Sequence, residues 1–360
     1  SAAVEDVQTQ TPLPPELQRL IQPGMSLGGA RPKALLQTDA GPCVVKFAEL
    51  DDAVDTPLVE HATMTLAAQA GIDVAATGVL PLPPRHGKAR HALTIERFDR
   101  VGNVRVHCQS ARTLLRAARL PESYGALATV LLRLAHPDRQ VAQREELFRR
   151  MVFNILTDNT DDHERNHSVR LMFDGYHELT PAYDMVPSLQ NLGYQAMAVG
   201  REGAVSSLDN ALTELSEFGL KRARAIELVR QVARVVEDWE AHFARKGVSA
   251  ADRDLLKASI DRDALRLQRQ AYLCASEPAT ARTVLRGQVG PHQLPQPLAP
   301  EAGVVPGVHH ADRQGQQAFH GADVGHAVGV VQVVDQRAVV DGVARKQGAG
   351  AGLPQADAAG

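Results

Sequence analysis

Cysteine is scarce in this chain. Among 360 residues only Cys43, Cys108 and Cys274 occur, and none lies near another. That spacing excludes a disulfide framework and a cysteine-built zinc site, and it suits a reducing, cytoplasmic setting. Charge of one sign is lacking too: 39 Lys and Arg stand against 42 Asp and Glu, a formal net charge of −3. No whole-molecule field therefore gathers nucleic acid or anionic membrane. No apolar run approaches the roughly 20 residues of a membrane span, so no membrane partner is expected. The N-terminus has neither a basic n-region nor an apolar h-region, and it starts at Ser1 rather than Met, so a natural start further upstream is expected. What the chain does have is length, roughly two domains at about 150 residues each. That suffices to bury a core without disulfides or a structural metal.

A second absence is local. Residues 287–360 contain no Ser, Thr, Asn, Ile, Met, Tyr, Trp or Cys, and Phe319 is their only aromatic residue. So few large side chains cannot offset the entropy of ordering the segment. Linkers are usually rich in Ser, which argues against an ordinary flexible tail. Every residue here except Phe319 and Lys346 can be encoded by a codon beginning with G or C. A shifted frame in a GC-rich gene leaves that mark, so the segment reads as a disordered, frameshifted tail starting between Val284 and Gln288. Its histidines, including His309 and His310, are accordingly not read as metal ligands.

The remainder divides by pattern. Residues 1–19 form a Pro-rich N-terminal segment, and Gly28 and Gly29 then sit in a turn. K-A-L-L-Q and C-V-V-K-F read as short strands around the D-A-G-P turn at 39–42. Residues 57–70 read as a helix with Leu58, Ala62, Leu66 and Ala67 on one face, and 91–98 as another strand. From about 110 the pattern becomes helical. One helix spans about 143–156, with Leu147, Met151 and Ile155 on one face. A longer apolar stripe runs from Ile226 through Val236 and Trp239 to Phe243. Gly247 can end it, and Ser249 with Asp252 can cap the next helix. Between these helices, 168–179 reads as a hairpin around Asp174-Gly175. The expected organisation is a strand-rich lobe over 20–104, a helical lobe over 105–275, and the tail.

The hairpin is flanked by the polar segments best suited to chemistry. Phosphoryl transfer from ATP needs a carboxylate near the acceptor hydroxyl, oxygen ligands for Mg²⁺, and a cation on the phosphates. Asp161 followed five residues later by Asn166 has the aspartate-to-asparagine spacing of a kinase catalytic loop. Asp184 follows the hairpin, where kinases bring in their principal Mg²⁺ aspartate. Lys46 in its apolar strand can serve the phosphates, with Glu60 fourteen residues on as ion-pair partner. Singly, each has an ordinary alternative: a solvated turn for the Asp-rich loop, an edge-guarding lysine, a surface glutamate, a helix-capping aspartate. Their order and spacing favour the joint reading.

M-S-L-G-G-A-R-P-K (25–33), I-E-R-F-D-R (95–100), F-N-I-L-T-D-N-T-D-D-H-E-R-N-H (153–167) and L-T-P-A-Y-D-M-V-P (179–187) resemble the HipA family, bacterial serine/threonine kinases that act as toxins of toxin–antitoxin modules. The likeness runs from about residue 20 to 270. It implies an α+β, two-lobed protein-kinase-like fold related to the phosphoinositide-kinase group. It also implies Asp161 as catalytic aspartate and His163 as a second catalytic residue, Mg²⁺ held by Asn166 and Asp184, and ATP phosphates bound by Lys46. Glu96 and Phe98 would lie at the adenine hinge. Glu60, Gly28, Gly29 and Lys33 would complete the nucleotide site, and Ser26 matches the loop serine that family members autophosphorylate to switch themselves off. The implied partners are a HipB-like helix-turn-helix antitoxin, DNA only through that antitoxin, and a protein substrate such as an aminoacyl-tRNA synthetase.

One departure stands out: only 25 residues precede Ser26, where family members carry a longer N-terminal subdomain. A shortened chain or a separate small protein supplying that piece would account for it. Two rival readings come from other classes: a catalytically silent kinase-fold module that binds an antitoxin, and a small-molecule kinase of the aminoglycoside type. Retention of Lys46, Asp161, Asn166 and Asp184 argues against the first, and the S-L-G-G-A-R-P-K and E-R-F-D-R motifs against the second.

Overall fold

The computed structural model describes residues 31–274, apart from 39–40, 50, 86–87 and 103. Ser26, Gly28, Gly29, the Pro-rich start, half of the 39–42 turn and the 287–360 tail lie outside the described residues.

β1 (Lys33–Thr38) and β2 (Gly41–Phe47) pair antiparallel, with Lys33 opposite Lys46. α1 (Thr56–Gln69) follows, with Pro57 in its first turn, where a missing N–H costs nothing. β3 (Thr77–Arg85) and β4 (Lys88–Glu96) complete a four-stranded antiparallel sheet in the order β1-β2-β4-β3. β3 has no counterpart in the sequence reading, because Pro81, Pro83 and Pro84 argue against a strand. The sheet tolerates them because β3 is an edge, where a proline need not donate to a neighbour. The 91–98 strand begins earlier and ends sooner, the chain leaving the sheet after Glu96.

α1 is buried well beyond the single face its pattern indicates. Val59, Met64 and even Glu60 are at most 2% exposed alongside Leu58, Ala62, Leu66 and Ala67. The helix packs on β3 and β4 on one side and on the helical part on the other, so that only Ala68 and Gln69 at its C-terminal end are exposed.

A ribbon of β5 (Arg100–Val101) and β6 (Val104–Arg105) leads to β7 (Cys108–Ser110). Three helices come next: α2 (Ala111–Ala118), α3 (Tyr124–Leu134) and α4 (Gln140–Leu156). β8 (Ser168–Leu171) and β9 (His177–Leu179) are the expected hairpin, with Gly175 at φ +84, a conformation glycine adopts without a steric penalty. β7 adds a third strand to it, in the order β7-β8-β9.

Five further helices follow: α5 (Leu208–Ala211), α6 (Arg222–Glu237), α7 (Trp239–Arg245), α8 (Ala250–Ile260) and α9 (Asp263–Cys274). The stripe from Ile226 to Phe243 is thus two helices, with the break at Asp238. The bend keeps both Trp239 and Phe243 buried and lets the Trp239 indole donate to Asp261 at 3.1 Å. Ser249 does cap α8, accepting from the Asp252 amide. One continuous apolar core joins Leu93 and Ile95 of the sheet, through α1, to Phe153 of α4 and Val229 of α6. Among the described residues no helix is long and apolar enough to cross a membrane.

Candidate functional site

Alternation along β2 sends Cys43 and Val45 to one face of the sheet and Lys46 to the other, toward α1. Lys46 is 8% exposed, and its ammonium donates to Glu60 Oε1 at 2.7 Å and to Asp184 Oδ1 at 2.6 Å. Burial alone would lower its pKa. The two carboxylates outweigh that and hold it well above its ordinary value, so Lys46 is a fixed cation. Glu60 is shifted up because burial dominates, with Lys46 pulling the other way. Lys33 stands beside Lys46 across the β1–β2 ladder. Burial and the Lys46 charge lower its pKa, against the opposing pull of Asp184 and Glu60.

Asp184 arrives on a segment stitched to the loop after α1. Ala182 donates to the Asp73 carbonyl at 2.7 Å, and its own carbonyl accepts from Ala75 at 2.9 Å. Arg150 of α4, 1% exposed, reaches the Thr180 carbonyl at 2.9 Å while paired with Glu146. Tyr183 stacks on Phe98 at 5.5 Å between centroids, donates to the Arg165 carbonyl at 2.8 Å, and meets Ser168 Oγ at 2.8 Å. Burial pushes the Tyr183 phenol up to about 12, so it stays a donor. These restraints hold Asp184 at φ +61, a conformation that costs a non-glycine residue of order 1–3 kcal/mol and persists only where the surroundings impose it. Its side chain remains 44% exposed. Burial opposes ionisation, but Lys46, Lys33 and His163 together hold the carboxyl below its usual range.

The loop after α4 is polar yet almost wholly buried. Thr157 through Thr160, Asp162, Glu164, Asn166 and His167 are all buried, whereas Asp161 is exposed. Asp162 explains how such a loop is held. Its carboxylate accepts from the Tyr124 hydroxyl, from Asn154 Nδ2 at 2.8 Å and from His167 Nε2 at 2.8 Å. The start of α2 adds Ala111 N to the His167 carbonyl and Arg112 N to the Glu164 carbonyl. Asn166 Nδ2 turns to the Asp161 carbonyl at 3.4 Å, which leaves its amide oxygen as the donor for a cation. His163 is half-buried, and its Nδ1 has no hydrogen-bond partner among the described residues.

Glu96 is exposed at the end of β4, its amide bonded to the Ala76 carbonyl at 2.9 Å. Phe98 follows on the Tyr183 stack, and Arg97 and Arg100 both bind Asp99 at 2.6 Å. The structure thus brings Lys46, Glu60 and Asp184 into contact, sets Lys33 and His163 in the same field, and joins Asn166 to Asp161 and Phe98 to Tyr183. Sequence reasoning missed Arg150, Tyr124, Asn154 and Asp158. The one available signal was charged or amide residues on the otherwise apolar face of α4.

Oxygen donors from Asn166 and a partly exposed, ionised Asp184 suit Mg²⁺, which binds one or two carboxylates and keeps several waters. The neighbouring cations Lys46 and Lys33 suit a polyphosphate.

Residues 25–239 match the family model for the HipA-like C-terminal domain. A putative kinase of Haemophilus influenzae is 27% identical over 191 residues, which are 46% of this chain and 53% of that protein. The chain therefore spans about half of that relative's length. HipA of Shewanella oneidensis, solved with HipB and its operator DNA, superposes with a TM-score of 0.53 at 20% identity over 76% of this chain and 70% of that one. The Helicobacter pylori proinflammatory kinase CtkA gives 0.51 at 10% identity over 71% and 97%. At such identities the two structures speak for the fold, which is α+β, two-lobed and kinase-like.

Proposed function

The chain belongs to the family of HipA-like C-terminal domains, and from that premise we propose that it is an ATP- and Mg²⁺-dependent serine/threonine protein kinase. It acts as the toxin of a HipA/HipB-like toxin–antitoxin system. The observation that carries the reading is the Lys46 ammonium shared between Glu60 and Asp184 across 138 residues of sequence. A buried lysine held by two carboxylates, with an oxygen-donor pair and an exposed aspartate nearby, is the equipment of phosphoryl transfer.

In this mechanism Lys46 and Lys33 bind the phosphates, and Glu60 fixes the Lys46 ammonium in place. Glu96 and Phe98 receive the adenine at the chain's exit from the sheet. Asn166 and Asp184 hold Mg²⁺, which when bound offsets charge on the phosphate oxygens. Asp161, exposed at the loop surface, orients the acceptor hydroxyl and takes its proton. His163 flanks it on the same loop as a second catalytic residue. By the resemblance, Ser26, Gly28 and Gly29 belong to the nucleotide site, and phosphorylation of Ser26, by adding about −1.5 to −2 charges, weakens nucleotide binding. The acceptor is a translation-related protein such as an aminoacyl-tRNA synthetase. The partner is a HipB-like helix-turn-helix protein, through which alone the chain meets DNA. The strand-rich lobe covers 20–104 and the helical lobe 105–275.

The test is phosphoproteomics after brief induction, wild type against Asp161→Ala, with purified protein assayed in parallel for Mg²⁺-dependent ATP turnover. Protein phosphosites that need Asp161 support the reading. ATP binding without turnover supports a silent module, and turnover only with a small hydroxylated acceptor supports a small-molecule kinase.

A further inference from the structure

Asp158 lies two residues beyond α4 and three before Asp161. It is fully buried and adopts φ +55, a left-handed conformation unusual for a non-glycine residue. Its main chain and side chain face opposite tasks. The carbonyl accepts from the amides of Thr160 and Ser188 and from Ser188 Oγ, each at 3.0 Å. Ser188 Oγ also lies 2.6 Å from Thr160 Oγ1, so the loop carrying Asp161 and the segment four residues past Asp184 share this one anchor.

The carboxylate points the other way, into the C-terminal helices. It accepts from Ser259 Oγ near the end of α8 and from Arg262 Nη2 at 2.9 Å in the α8–α9 junction. That junction is itself braced. Buried Arg269 donates to the Ile260 carbonyl at 2.7 Å, to Glu237 at 3.0 Å and to Asp261, and Asp261 also accepts from the Trp239 indole. Ser259 and Arg262 lie beyond residue 239, past the stretch matched by the family model.

We propose that Asp158 is a positioning residue: through Ser259 and Arg262 it fastens the Asp161 loop and the Asp184 segment to the α8–α9 junction, so that the C-terminal helices set the geometry of the site. The proposal rests on the kinase reading above. A positive-φ backbone with five bonded groups on one residue has two discrete options, held or released, and releasing it moves both loops together. The Lys46–Glu60 pair is held without Asp158, whereas Asp184 lies on one of the two segments that Asp158 fastens. Releasing it therefore disturbs the alignment of the reacting groups most, and nucleotide binding less, because Lys46 keeps its pairing with Glu60.

Asp158→Asn is the discriminating change, because asparagine keeps the shape and tolerates the left-handed backbone while losing the charge that Arg262 meets. A small misplacement of reacting groups costs about 10²-fold in rate. The variant is thus expected to lose about 10- to 100-fold in kcat, with a clearly smaller rise in KM for ATP. Hydrogen exchange should quicken at amides 159–166 and at Ser188, with the β1–β4 sheet unaffected. Asp158→Asn combined with Arg262→Gln should cost no more than the costlier single change, as partners in one contact behave, and Arg262→Lys should fall between wild type and Arg262→Gln. Wild-type kcat and exchange in Asp158→Asn would overturn the proposal. So would kcat, KM and exchange across the whole molecule shifting together with Tm, since that is a stability effect alone. If the wild-type protein transfers no phosphate, the kinase reading fails while the exchange experiment still decides whether Asp158 holds the two loops.

Discussion

Asp161 and Asp162 are chain neighbours in opposite surroundings: the first is exposed, the second is 3% exposed with three donors on its carboxylate. Their substitutions should therefore fail in different ways. Asp161→Asn should leave Tm unchanged and reduce phosphoryl transfer by about 10²–10⁴, the usual cost of losing a positioned general base. Asp162→Asn puts an amide among donors, and one unmet buried partner costs about 1–3 kcal/mol, measurable as a lowered Tm. The same residue has a pH signature. Burial opposes ionisation of Asp162, but His167 and Tyr124 outweigh it and hold the folded pKa below the ordinary 3.8. A depressed folded pKa means stability that is complete above the unfolded value and lost as pH falls through the folded one. The Tm gap between wild type and Asp162→Asn should hold at about pH 5 and narrow progressively below about pH 4. A gap that widens on acidification would contradict the assignment.

At the scale of elements, α3 matters because it starts at the residue that holds Asp162. Ser123 caps it, accepting from the Ala126 amide at 3.0 Å, and Tyr124 is the first helical residue. Ser123→Ala should cost about 1 kcal/mol in thermal unfolding, the ordinary worth of an N-cap. β3 carries three prolines without penalty because it is an edge, and those prolines also blunt that edge against pairing with another chain. β7 joins its hairpin from 58 or more residues away in sequence, a pairing that no local pattern announces.

For the molecule as a whole, the Lys46–Asp184 pair is where the sheet and the helical part meet chemically. Mg-ATP should bind across that junction and stabilise the folded chain by linkage, about 2.7 kcal/mol at a hundredfold excess over Kd. Thermal melts should show the rise in wild type and lose most of it in Lys46→Met and Asp184→Asn. An equal rise in all three would place nucleotide elsewhere. The compositional reading of 287–360 has its own check: a chain ending at Leu285 should melt at the full-length temperature.

Local pattern was enough where the partners are themselves close in sequence. Asp161 and Asn166 belong to one loop, the Asp174-Gly175 turn is self-contained, and the α8 cap is a contact between Ser249 and the amide three residues on. Lys46 and Glu60 were legible as a pair because they lie on consecutive elements, β2 and α1, fourteen residues apart. Tertiary structure alone decided the rest, since each remaining feature depends on partners remote in the chain. Burial of α1 on its second side depends on helices more than 100 residues later, and the turn at Asp238 depends on Asp261. Which of two adjacent aspartates is sealed depends on Tyr124 and Asn154, and the footing of the loop depends on Ser259 and Arg262. Spacing records what a segment can do by itself. Desolvation, and the donors that make a buried charge tolerable, exist only once distant segments have packed together.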